Sequence, residues 1–233
     1  MVRYLYLIAT IMFCHNALAY KVEPMVAELE PIGNRSQMTM RIDNTSNKVL
    51  TVELYPFSMT MDEYGKETRE PADGELLVIP VTAVIQPGRS QSVIVRYLGD
   101  PSITQSKAYR ISVKEVQLES KKNNSGMMGL LFQFNTLINV KPKNTFSELN
   151  VEKISQKDDK WLLEVINSGD SYGRLTQTRW QVSDGANSLM LKGSDISKYI
   201  AGTLVLPQSK RVFEMTPIEN YNASTVSIDI LQD

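Results

Sequence analysis

The chain has 233 residues, a formal net charge of −1, a single cysteine and a single histidine. That charge balance gives no electrostatic reason to bind nucleic acid or an anionic membrane surface. With Cys14 and His15 standing alone, there is no Ser-His-Asp or Cys-His nucleophile system, no histidine or thiolate metal site and no phosphate-cradling glycine loop. Acidic residues are scattered rather than paired, so the composition argues against an enzyme and calls for no cofactor or metal.

Residues 1–19 read as a cleaved leader. Arg3 gives a short basic start, residues 4–13 are apolar but too few to span a membrane, and Ala17-Leu18-Ala19 has the small-x-small form of a signal-peptidase site. Cleavage before Tyr20 leaves about 214 residues, exported and without stable membrane insertion. It also removes Cys14 and His15, so the mature chain has no disulfide framework and takes its stability from its cores. The loss of Arg3 takes the charge from −1 to −2.

Strand signals then dominate. Residues 38–43 alternate, residues 44–47 form a turn cluster, and residues 49–55 resume a strand. Residues 59–74 read as polar connection with turns at 63–65 and 72–74. An apolar strand at 76–79 ends or shifts at Pro80. Pro87-Gly88 is a turn before an alternating strand at 90–96, and another strand follows at 109–116. After a polar run at 119–126, residues 126–142 (GMMGLLFQFNTLINVKP) read as one long strand. Met128, Leu130, Phe132, Phe134, Ile138 and Val140 share one face of it, and Gln133, Asn135, Asn139 and Lys141 the other. Such a strand can serve its own core, or lend apolar residues to an incomplete sheet in another protein.

About seven short strands in roughly 120 residues indicate an immunoglobulin-like sandwich. Past Pro142 and Asn144 the rhythm restarts, with strands at 149–151, 161–166, 176–182, 189–192, 202–206, 210–215 and 225–231. The fold class is therefore all-β, with two tandem β-sandwiches at residues 20–143 and 144–233. Trp161 and Trp180 are expected in the second core.

Four segments resemble periplasmic pilus chaperones of the chaperone–usher pathway. Residues 79–96 (IPVTAVIQPGRSQSVIVR) resemble that family's proline, apolar, Pro-Gly and glutamine segment. Residues 109–116 (YRISVKEV) resemble its Tyr-Arg signature strand, and residues 39–45 its early strand ending in asparagine. Residues 128–142 lie where its subunit-capping strand lies; Asn167-Ser168-Gly169 is a looser match in the second half.

The resemblance implies a boomerang of two immunoglobulin-like domains. Such a periplasmic chaperone forms a one-to-one complex with a pilus or fimbrial subunit, donates a strand to it, and delivers it to an outer-membrane usher. Met128, Leu130, Phe132 and Phe134 would be the donated residues, and Pro80 matches a position linked to usher recognition. The archetypal members anchor the subunit's terminal carboxylate with an arginine and a lysine, whose positions here hold Glu28 and Leu137. Neither can bind a carboxylate. Together with the short, cysteine-free loop before the capping strand, this points to the archaic or alternative branches. The replacement anchor candidates are Arg110 and Lys114, on the strand expected beside the capping strand, and Lys141 near the hinge.

Two other classes fit tandem sandwiches. A fimbrial subunit or adhesin would show a free N-terminal extension and an incomplete second sandwich. A carbohydrate-binding sandwich would want clustered aromatics, and only 8% of residues are aromatic.

Overall fold

The computed structural model describes residues 20–116 and 131–232. The expected leader, and Met128 and Leu130 of the expected donor strand, lie outside the described residues. Ten strands make the first half: β1 (Tyr20–Glu23), β2 (Val26–Leu29), β3 (Gln37–Asn44), β4 (Leu50–Met61), β5 (Glu67–Pro71), β6 (Leu76–Ile79), β7 (Thr82–Ile85), β8 (Ser90–Tyr97), β9 (Lys107–Glu115) and β10 (Gln133–Val140). Eight make the second: β11 (Leu149–Lys157), β12 (Lys160–Asn167), β13 (Gly173–Arg174), β14 (Arg179–Ser183), β15 (Ser188–Lys192), β16 (Leu204–Val205), β17 (Ser209–Met215) and β18 (Ser227–Leu231). Helical structure among the described residues is confined to short 3₁₀ turns.

In the first half one sheet runs β1-β3-β8-β6, and the facing sheet runs β2-β10-β9-β4-β5 with β7 alongside the start of β4. The chain changes sheets at Pro24, between β1 on β3 and β2 on β10. A proline has no N–H for a ladder, so this is where pairing lapses at least cost. All pairings are antiparallel except that of β2 with β10. The period-2 pattern carries through: along β8, Val93, Val95 and Tyr97 are buried and their neighbours face outward. These side chains join Met40, Ile42, Val52, Leu54, Ile111, Val113, Ile138 and Val140 in one core. Each such fully buried side chain contributes about 1.5–3 kcal/mol before ordering costs.

The second half places a β11-β12-β17 sheet against a β15-β14-β18 sheet, with the short β13-β16 pair beside them. Trp161 and Trp180 are both fully buried in its core, as expected. A corner asparagine holds each half together. Asn44, ending β3, donates to the carbonyls of Lys48 (2.7 Å) and Ile85 (2.9 Å). Asn167, ending β12, donates to Ser171 (2.8 Å) and Leu206 (3.0 Å) and accepts from the backbone of Glu148 and Gly169. Gly169 is required there: a Cβ would stand 2.2 Å from the Phe146 carbonyl oxygen.

Three expectations change. Residues 59–74 are not all connection, because β4 runs on to Met61 and returns as β5 through the turn at 62–66. β1, β2 and β7 are strands of four residues each that the sequence pattern left unassigned. Within the described part of the long strand, regular pairing begins at Gln133 rather than before it. The paired register ends with Gln133 opposite Lys114, and one further bond, from the Glu115 N–H to the Phe132 carbonyl, reaches residue 132.

Candidate functional site

β10 is the element around which the site forms. β9 pairs with it along its full length, Gln133 to Val140, whereas β2 pairs only with Leu137–Val140. Among the described residues, no strand pairs with the outer edge of Gln133–Thr136. The N–H of Leu137 donates to Met25 and that of Lys141 to Leu29, so odd-numbered amides point to the outer edge. The Phe132 carbonyl, in contrast, accepts from Glu115 on the β9 side. By the strand period, the amides of Gln133 and Asn135 face the open edge.

Phe134 and Phe132 part company here. Phe134 is half-buried against the first core, with its ring edge-on to Tyr20 at 4.8 Å. The Tyr20 hydroxyl is shared between the carbonyls of Val113 (3.1 Å) and Phe132 (2.9 Å). Burial pushes its pKa up, keeping it a donor. Tyr20 thus closes the core at this end. Phe132 lies beyond it and is 39% exposed, as Leu131 beside it is 48% exposed.

The outer face of the same sheet packs against the second half. Met59 on β4, Ala108 on β9 and Leu137 on β10 bury themselves against Leu204, with Met61, Tyr172 and Leu206 around them. Polar links surround this contact. Ser106 N–H donates to the Asp170 carbonyl (2.9 Å), and Tyr172 N–H to the Ser106 hydroxyl (2.7 Å). The Tyr172 hydroxyl donates to Glu28 (2.7 Å), and Val212 N–H to the Glu63 carbonyl (2.7 Å) in the β4–β5 turn. Burial, then the Glu28 carboxylate, raises the Tyr172 pKa. Glu28 and Leu137 are therefore spent on holding the two halves together.

Arg110 projects onto this face, in register with Leu137 on one side and Phe57 on the other. Its guanidinium grips Glu67 of β5 through Nη2 and, at 3.3 Å, through Nε. Arg69 holds the same carboxylate at 2.5 and 3.0 Å. Partial burial works to raise the Glu67 pKa, but bonds from Arg110 and Arg69 outweigh it and hold the carboxyl below its usual range. Lys114 lies exposed farther along β9, across from Glu53 and Gln133. Lys141 follows β10 at the hinge, and its backbone is tied to Leu29. The structure therefore places Arg110 on the sheet face that carries Leu137, paired with Glu67, with Lys114 and Lys141 toward opposite ends of the site.

Pro80 sits at the end of β6, preceded by Ile79 and followed by Val81. Ile79, Val81, Val84 and Ile94 are all exposed there, and Ile79 pairs with Ile94 across β6 and β8. Sequence reasoning missed Glu67, Arg69 and the Glu28–Tyr172 link. The charged alternation Glu67-Thr68-Arg69 was the available signal, but it lies on a strand with no buried residue. Among the described residues no group of His, Cys, Asp and Glu is placed to hold a metal ion, and no helix is long and apolar enough to cross a membrane.

No protein-family model matches the chain, and no curated protein matches it significantly. Solved structures match over nearly its whole length. The class 5 fimbriae chaperone CfaA aligns at a TM-score of 0.59 and 15% identity, covering 92% of this chain and 100% of its own. The CsuC–CsuE chaperone–tip subunit complex of archaic Csu pili from Acinetobacter baumannii gives 0.59 and 16%, covering 91% and 97%. The chaperone YadV gives 0.58 and 14%, covering 91% of each chain. The fold is the two-sandwich fold of fimbrial chaperones of the chaperone–usher pathway.

Proposed function

We propose that this chain is a periplasmic chaperone of the chaperone–usher pathway, of the archaic or alternative branch, and not an enzyme. On this reading residues 20–143 and 144–233 are its two domains, and residues 1–19 a leader that exports it. It caps a pilus or fimbrial subunit in a one-to-one complex by donating the strand at 126–142, then presents it to an outer-membrane usher. The observation that carries the reading is the open edge of β10 at Gln133–Thr136, on the fold of fimbrial chaperones. An unpaired edge offers main-chain bonds, and alternate side chains fill the pockets of an acceptor groove. Met128, Leu130 and Phe132 fill those pockets, while Phe134 joins the groove to the chaperone's own core. The chaperones CsuC and SafB, whose folds this chain shares, are each seen in complex with a subunit.

Arg110 is the anchor for the subunit's terminal carboxylate. A guanidinium fork suits two carboxylate oxygens, and its place beside Leu137 puts it on the sheet face that meets the second half. Lys141 supports it from the hinge, and Lys114 flanks the donor strand. Pro80, amid exposed Ile79, Val81, Val84 and Ile94, marks the surface offered to the usher.

Co-purification from a periplasmic extract, with mass spectrometry of the partner, tests the reading. The wild type brings down one subunit in a one-to-one complex. Phe132→Ser loses it while the free chaperone keeps its melting temperature, and Arg110→Ala loses it while both halves remain folded. Pro80→Ala retains the complex but impairs surface assembly. A polymer of the chain itself would instead make it a structural subunit.

A further inference from the structure

Resting on the reading of Arg110 as anchor, we infer that Glu67 is a resident carboxylate: it occupies Arg110 in the free protein and is displaced by the terminal carboxylate of the bound chain. Arg110 and Arg69 converge on this one carboxylate from β9 and from β5 itself. A third guanidinium approaches from the second half. Arg211 on β17 is 9% exposed and lies over Gly65 in the β4–β5 turn, where a Cβ would stand 2.2 Å from its Nη2. Its Nη1 donates to the Leu204 carbonyl at 2.6 Å, its plane covers Phe213 at 4.5 Å, and its Nε has no partner.

The neighbouring acids are committed elsewhere. Asp62 accepts from the backbone of Tyr64 and Lys66, and Glu63 faces Lys210. Two guanidiniums, those of Arg110 and Arg69, therefore share the single carboxylate of Glu67, and Arg211 lies near it and Asp62 without a direct bond to either. Arg110, Arg69 and Arg211 face Glu67 and Asp62, so the cluster carries one cation more than its anions, and a buried donor of Arg211, its Nε, is unpartnered. A buried cation without a counter-charge is costly. Glu67 removes that cost at Arg110 in the free protein.

The exchange is cheap because of where Glu67 stands. It shares a strand face with Arg69, two residues away, so it remains paired when it releases Arg110. β5 is the outermost strand of its sheet, bonded only to β4, and Glu67 is one of its partly exposed side chains. A tethered carboxylate competes at high effective concentration with free anions. A ligand must therefore bring the strand-pairing energy of its own chain together with its terminal carboxylate in order to win. Glu67 thus makes the site selective for chain ends over small acids.

The test uses the full mature chain and a synthetic peptide, acetyl-Val-Thr-Val-Thr-Val-Phe, as the free acid and as its amide, titrated by NMR. In the wild type, saturating acid moves the side-chain Nε–H resonance of Arg110 and leaves that of Arg69 in place. Glu67→Gln, nearly isosteric, binds the acid about tenfold or more tighter and the amide unchanged, the worth of one charge-assisted bond; Glu67→Ser does the same. Acid affinity within about twofold of wild type in both variants, with the acid preference lost in Arg110→Ala, overturns the role of Glu67 and leaves the anchor standing. Acid preference retained in Arg110→Ala overturns both. An Arg110 resonance that stays fixed at saturation in the wild type overturns the exchange without any variant.

Discussion

Phe134 and Phe132 share a strand face yet have opposite consequences when truncated. Phe134→Ala removes a ring that is half-buried against the first core and edge-on to Tyr20. Full burial makes a Phe→Ala change cost about 3–5 kcal/mol, and half-burial takes roughly half of that. The lost aromatic pair adds about 0.5–1.5 kcal/mol. The sum is a loss of about 2–4 kcal/mol. Phe132 has little of its own core to leave, so Phe132→Ala stays within about 0.5 kcal/mol of wild type. The assay must report the first half alone. Trp161 and Trp180 both lie in the second core, so tryptophan fluorescence is the control, and urea-dependent hydrogen exchange at Val113 and Ile138 is the readout. Fluorescence transitions are unchanged in both variants. A Phe134→Ala loss below about 0.5 kcal/mol, with Phe132→Ala losing more than about 2 kcal/mol, would show that the ring of Phe132, and not that of Phe134, closes the core.

Asn167→Ala leaves the carbonyls of Ser171 and Leu206 without their side-chain donor and costs about 2–6 kcal/mol, at roughly 1–3 kcal/mol per orphaned group; the tryptophan-detected urea midpoint falls while exchange at Val113 does not change. Acid weakens the first half. Glu67, held below its usual pKa by Arg110 and Arg69 against partial burial, and Glu75, held low chiefly by the Tyr109 hydroxyl and Lys107, stabilise the fold when ionised. That contribution is complete above the unfolded carboxyl pKa of about 4.3 and is lost as pH falls through the lower folded values. Urea unfolding from pH 7 to pH 3 shows the decline, and Glu67→Gln flattens it; an unchanged slope would mean that Glu67 carries no folded-state shift.

The strands that bury one face were legible because their period survives in the sequence: Val93, Val95 and Tyr97 on β8, or Trp161, Leu163 and Val165 on β12. β5 was not, since none of its five residues is buried and an edge strand needs no apolar face. That omission hid Glu67, whose contact with Arg110 spans 43 positions of sequence. Arg110 itself was readable from its alternation with Ile111 and Val113, because β9 is buried on one face. For the capping strand, periodicity grouped Phe132 with Phe134, but only the position of Tyr20, more than 110 residues earlier, separates them. Nor could periodicity show that Glu28 and Leu137 meet the second half, since their partners Tyr172 and Leu204 lie far along the chain.

Hydrogen exchange along β10, with and without the co-purified subunit, bears most directly on strand donation. In the free chain the amides of Phe134 and Thr136, turned toward β9, are protected, and those of Gln133 and Asn135, turned to the open edge, exchange freely. Binding should protect Gln133 and Asn135 by about a hundredfold or more, as a new ladder worth roughly 3 kcal/mol locally requires. A tight one-to-one complex in which both amides still exchange at the free rate would contradict strand donation from this edge.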